Sequence, residues 1–138
     1  EAILVFEAQV AQRLPYLMKR GGQVVSKARF VSAQLARYLA DERWLERARQ
    51  SNAHASALAA RLRAIPGVEL AGRVDVNMMF TRLPEAAVAA LDAGPFRYYK
   101  LGHEQRFVCR HDQELEGIDA LVAAVGKALG HGTPSAPR

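Results

Sequence analysis

The hydrophobic period of the chain changes at Pro66-Gly67, from helical before the pair to alternating after it, and this change restricts the fold more than any single motif. Before it, Leu45, Ala48, Ala55, Leu58 and Leu62 recur at helical spacing between Glu42 and Ala64. The stretch DERWLERARQ at the start of that segment mixes both signs of charge and reads as a solvated face. After the pair, Val68 to Ala71 reads as a short strand. Val74, Val76, Met78 and Phe80 then alternate with Asp75, Asn77, Met79 and Thr81, the signature of a half-buried strand. A brief helix is expected from Glu85 to Leu91, between Pro84 and Gly94-Pro95. Two strands follow, around Arg97 to Leu101 and Gln105 to Cys109, joined by a turn at Gly102-His103. A last helix runs from about Gln113 to Leu129, capped by Asp112, with Leu115, Ile118, Leu121, Val122 and Val125 on its buried side. The order helix–strand–strand–helix–strand–strand–helix predicts an α+β layer, with helices on one face of a small antiparallel or mixed sheet.

The N-terminal third is organised differently. Ala2 to Phe6 is a short apolar run with no turn signal before it and reads as a buried strand entered from sequence that is not present. Glu7 to Leu14 is a helical candidate ended by Pro15, since proline disfavours helical backbone in the residue before it. The Gly21-Gly22 turn then opens a helical pattern through Val24, Val25, Ala28, Val31, Leu35, Tyr38 and Leu39. GHGTPSAPR, at 130–138, reads as a disordered tail. Three blocks result: 1–22, 23–129 and 130–138.

Composition excludes several functions. No run approaches the roughly 18 apolar residues of a membrane span. EAILVFEAQ lacks the cationic flank and cleavage site of a signal peptide, so a cytoplasmic location is the default. The net charge of +5 comes from cations dispersed along the chain without interleaved aromatics, which disfavours nucleic-acid binding. The single cysteine, Cys109, supports neither an internal disulfide nor a zinc site and reads as a small buried apolar residue.

No complete catalytic constellation is present. The sequence holds no P-loop, no dinucleotide fingerprint and no Gly-x-Ser-x-Gly elbow. His54, His103, His111 and His131 stand in dissimilar contexts and read as surface or turn residues. Met78, Met79 and Phe80 read as core packing. Two features carry possible anion chemistry. In QRFVCRHD, Arg106 shares a strand face with Val108, and its planar fork suits a carboxylate; an edge arginine in solvent is the alternative. In LMKRGGQVVSKARF, Lys19 and Arg20 flank a glycine pair ahead of a helical pattern, which is either an anion site or a loop with solvated charges.

The block K-R-G-G-Q-x-x-S-K-x-R-F from Lys19 to Phe30, with WLERARQSNAHASALAARLRAIPGV, VNMMFTRLP and QRFVCRHD, resembles the C-terminal part of the low-specificity L-threonine aldolases. These are lyases that use pyridoxal phosphate (PLP) and have the aspartate-aminotransferase fold (fold type I). The resemblance implies a C-terminal small domain at 23–129, and a strand and helix at 1–22 belonging to a large domain. It places the Schiff-base lysine upstream of Glu1, so that neither Lys19 nor Lys27 takes that role. It implies that Arg106 binds the substrate α-carboxylate. It also implies that the Lys19, Arg20, Gly21, Gly22, Gln23 turn approaches the cofactor phosphate, often across a subunit interface. Some family members carry an arginine shortly after the glycines, where this chain has Val24-Val25-Ser26. The activity implied is cleavage of L-threonine, L-allo-threonine or related β-hydroxy-α-amino acids to glycine and an aldehyde. It would be carried out by a homodimer or homotetramer with no nucleic-acid or membrane partner, the 138-residue piece being inactive alone. A β-eliminating lyase on the same fold, and a non-catalytic α+β oligomerisation module, are the alternatives.

Overall fold

The computed structural model describes residues 3–131. The chain forms two compact units, Glu1–Trp44 and Leu45–Arg138.

The first unit holds α1 (Ala8–Arg20) and α2 (Arg29–Leu39). No residue of either helix is buried. Ile3, Leu4, Phe6, Val10, Tyr16 and Leu17 are all exposed, Phe6 at 95%. The strand expected at Ala2 to Phe6 does not form over its described residues, 3–6, because no strand lies beside them to complete the hydrogen-bond ladder; Ala2 lies outside the described residues. Pro15 does not end α1, which continues to Arg20. Proline removes one helical donor, and on a helix exposed along its length the freed carbonyl of Ala11 can turn to water.

The helical pattern predicted from Val24 also starts late. Residues 23–25 are irregular, Lys27 takes a left-handed conformation (φ 59°), and α2 begins at Arg29. At the far end of α2, Asp41 accepts from the backbone N–H of Arg43 (3.2 Å) and pairs with its guanidinium (2.7 Å). That pairing holds the Asp41 carboxyl well below the usual carboxylate range.

The second unit contains most of α3 (Arg43–Arg63), followed by β1 (Glu69–Leu70), β2 (Met78–Arg82), α4 (Glu85–Asp92), β3 (Tyr99–Leu101), β4 (Glu104–Val108) and α5 (Leu115–Ala128). The strands form one antiparallel sheet in the order β1-β2-β4-β3. The predicted α+β class and element order are therefore observed. Ser51, His54, Ala55, Leu58, Ala59 and Leu62 make the buried stripe of α3 at three- and four-residue spacing. Of these, Ala55, Leu58, Ala59 and Leu62 join Ala87 and Leu91 of α4, Ile118, Val122 and Val125 of α5, and Met79 and Phe107 of the sheet in one apolar cluster. An ion pair between Arg61 and Asp119 links α3 to α5 outside it.

Three local expectations change. The alternation before Phe80 points Val74, Val76, Met78 and Phe80 inward, yet β2 starts only at Met78 and its buried residues are Met79 (1% exposed) and Thr81. Pairing sets this phase: Met79 lies opposite Phe107 and Thr81 opposite Gln105, all four buried. Asp112 does not cap α5, because its carboxylate pairs with Arg110 (2.6 Å); Leu115, at the first turn, is half exposed. His54 is buried, its Nδ1–H donating to the Arg110 carbonyl (2.8 Å). The expected tail at 130–138 lies outside the described residues beyond His131. Gly130 (φ 74°) closes α5 by a Schellman motif, with His131 N–H donating to the Gly126 carbonyl (2.8 Å).

Cys109 is 2% exposed, as its apolar reading required, and burial pushes its thiol above the ordinary range. At pH 8 the folded protein should therefore resist iodoacetamide at Cys109, reacting at least tenfold more slowly than the urea-unfolded chain. Equal rates would contradict this placement.

Candidate substrate-binding site

The helices cover one face of the sheet, and the other face carries the candidate chemistry. On β4, Gln105 and Phe107 point into the core, so Arg106 points away from it and is half buried. The cross-strand register places Phe80 of β2 on one side of Arg106 and Tyr99 of β3 on the other. The Tyr99 ring lies under the guanidinium, with Cζ 4.3 Å from the ring centroid.

Arg106 Nε is buried and has no hydrogen-bond partner. Among the described residues no acidic side chain pairs with Arg106 or with Arg97; Glu104, two residues away on β4, pairs with Arg82 (2.8 Å). Arg106 opens into a cavity of about 620 Å³ lined also by Arg97, Tyr98, Tyr99, Val108 and Arg110. Among the described residues three guanidiniums and no carboxylate line this space, and of the three only Arg110 has a counter-charge, from Asp112. A partly desolvated cation without a counter-charge calls for an anion, and a fork of N–H groups favours a planar carboxylate.

Neighbouring elements brace the cavity. Tyr98 stacks on Phe107 (centroids 5.3 Å apart) and its hydroxyl donates to Asp92 (2.6 Å), so its own titration is pushed up to about 12 by burial and that partner. Asp92 also takes a charge-assisted bond from Lys100 (2.5 Å). The His54 bond to Arg110 ties α3 to the segment after β4. A second cavity, of about 540 Å³, lies toward the core between Phe96, Phe107, Cys109 and Ile118. Its lining includes Asp112 and Glu114, so it suits an anion less well. Among the described residues no group of three or more His, Cys, Asp or Glu could hold a metal ion, and no helix is long and apolar enough to cross a membrane.

The other candidate, Lys19 to Gln23, belongs to the first unit. Its glycines sit at the C-terminal end of α1 and not before a helix N-terminus. Gly22 is left-handed (φ 68°), Gln23 N–H donates to the Met18 carbonyl (2.8 Å) and Gly22 N–H to that of Lys19 (3.2 Å), which is a Schellman cap. Gly21 N–H donates to the Leu17 carbonyl (2.8 Å). All three amides are thus engaged within the chain. Lys19 and Arg20 remain exposed in the last turn of α1, where cations suit the helix dipole, and Arg20 lines a shallow hollow of about 260 Å³ with Arg13, Tyr16 and Leu17.

Sequence reasoning found Arg106 but not Arg97, Arg110, Tyr99 or the buried His54. The signal for Tyr99 was present: a two-residue turn at Gly102-His103 pairs Leu101 with Glu104 and hence Tyr99 with Arg106.

No protein-family model matches the chain. Among curated proteins, it is 36% identical over 132 residues to the low-specificity L-threonine aldolase of Pseudomonas aeruginosa, covering 94% of this chain and 38% of that protein. It is also 36% identical over 127 residues to the low-specificity L-threonine aldolase of Pseudomonas sp. strain NCIMB 10558, covering 91% of this chain and 37% of that protein. The chain spans little more than a third of the length of these relatives. Over nine-tenths of its own length, then, the chain is similar to part of the low-specificity L-threonine aldolases, as its KRGGQ block and QRFVCRHD strand led one to expect.

Proposed function

We propose that this chain is the C-terminal part of a PLP-dependent lyase of fold type I. The lyase cleaves L-threonine, L-allo-threonine or a related β-hydroxy-α-amino acid to glycine and an aldehyde. The observation that carries the proposal is Arg106, a half-buried cation with no acidic partner among the described residues, opening into a cavity of about 620 Å³, ample for an amino acid. Its role is to bind the α-carboxylate of the substrate. Held there, the amino acid has its rotation about the Cα bonds restricted, which determines which bond is aligned for cleavage.

Bound pyridoxal phosphate supplies the electron sink for the breaking Cα–Cβ bond. The fit of this chain to that group is uneven: the amides of Gly21, Gly22 and Gln23 are spent on α1, so the side chains of Lys19 and Arg20 would serve the phosphate, as point charge and fork respectively. Residues 1–22 belong with a large domain in this reading. The exposed apolar side chains of α1 and of residues 3–6 favour that assignment. The working form is a cytoplasmic homodimer or homotetramer, and the 138-residue piece is inactive alone.

The test is to incubate the intact protein with L-threonine and PLP. Acetaldehyde and glycine should appear in equal amounts, the hydroxyl proton of the substrate being lost and Cα gaining one. No acetaldehyde from a protein loaded with the cofactor would refute the lyase reading.

A further inference from the structure

We propose that Tyr99 is a positioning residue for Arg106, holding the guanidinium plane so that its two terminal nitrogens face the incoming carboxylate. The inference rests on Arg106 being the carboxylate-binding group. Tyr99 and Arg106 are direct cross-strand partners on the open face of the sheet, and the ring covers one face of the guanidinium at 4.3 Å. Stacking of this kind restrains the plane of the fork while leaving its edges free for hydrogen bonds. Of the three nitrogens, Nε is buried and unreachable, whereas Nη1 and Nη2 make no hydrogen bond among the described residues and are not fully buried. The accessible edge is therefore the end-on Nη pair. A guanidinium on three flexible methylenes would otherwise sample many directions, and a bidentate contact needs one of them.

The chemistry of the contact is carried by the ring and not by the phenol. Tyr99 is 62% exposed and its hydroxyl makes no hydrogen bond among the described residues, unlike that of neighbouring Tyr98. β3 is a three-residue edge strand with every residue exposed, so substitution at Tyr99 leaves the core cluster untouched.

The experiment is calorimetric titration of the full-length, cofactor-loaded protein with glycine, alongside steady-state kinetics on L-threonine. Tyr99→Phe should bind glycine within twofold of the parent. Tyr99→Ala should weaken glycine binding about tenfold, the scale of a partly desolvated cation–π contact, and raise KM more than it lowers kcat. In an Arg106→Ala background, adding Tyr99→Ala should change nothing further, because the group it positions is gone. Tyr99→Ala within twofold of the parent would overturn the proposal, as would equal losses in Tyr99→Phe and Tyr99→Ala or additive losses in the double variant. If Arg106→Ala itself leaves glycine affinity unchanged, the carboxylate role of Arg106 falls, and the positioning role falls with it.

Discussion

Replacing Arg106 by alanine in the full-length protein should lower kcat/KM for L-threonine by about 30-fold to a few thousand-fold. Removing one partner of a partly buried, hydrogen-bonded charge pair costs about 2–5 kcal/mol, and each 1.4 kcal/mol is a factor of ten. The cost reaches that range because the carboxylate would be left in a cavity where Arg110 is already occupied by Asp112 and Arg97 stands outside the ladder, two positions before β3 begins its pairing at Tyr99, opposite Arg106. Arg106→Lys should recover only part of the loss, since an ammonium restores the charge but not the two parallel N–H bonds. The split between parameters is informative: KM alone rises if Arg106 only binds, and kcat falls too if it also aligns the bond that breaks. Steady-state kinetics on the two variants checks this, and an alanine variant within threefold of the parent would contradict it.

The second large effect is on stability. Leu62→Ala should destabilise the unit Leu45–Arg138 by about 2–5 kcal/mol, read from its urea unfolding transition followed by circular dichroism. Leu62 is fully buried on α3, in the cluster that also takes Met79 and Phe107 from the sheet and Val122 and Val125 from α5. Shortening it removes apolar burial and leaves a cavity that close-packed neighbours fill only in part. Leu62→Met, which keeps the volume, should cost less than about 1.5 kcal/mol. A loss below 1 kcal/mol for the alanine variant would mean that α3 does not pack as described.

The second unit was legible because its signals are local. Pro66-Gly67 stops α3 close to where the period changes, and Gly102, left-handed at φ 59°, turns the β3–β4 hairpin in the position that a type II′ turn reserves for glycine. Arg106 could be placed on the face opposite Phe107 by counting alternate residues. The face that β2 buries was less legible. Val74 and Val76 are apolar and in phase with Met78 and Phe80, but they precede the strand, and only the pairing with Phe107 and Gln105 decides which side is inward.

The first unit was read least well, and for a different reason. Helix α1 passes through Pro15, and Ala2 to Phe6 was read as a strand; both readings weighed local preference against neighbours that the described residues do not supply. Lys19 to Gln23 illustrates the limit of a motif. A glycine pair among cations is compatible with an amide cradle or a helix cap, and hydrogen bonds from Gly22 and Gln23 to Lys19 and Met18 distinguish them. The amides are engaged within the chain, and the Lys19 and Arg20 side chains are exposed.

Arg106 is the proposed anchor of the amino-acid carboxylate, and a crystal structure of the full-length protein with bound glycine tests that role most directly. The expected result is a glycine carboxylate with one oxygen within hydrogen-bond distance of each of Arg106 Nη1 and Nη2, the guanidinium still stacked on Tyr99. A carboxylate held by other residues, with Arg106 turned to a protein acidic group, would contradict it.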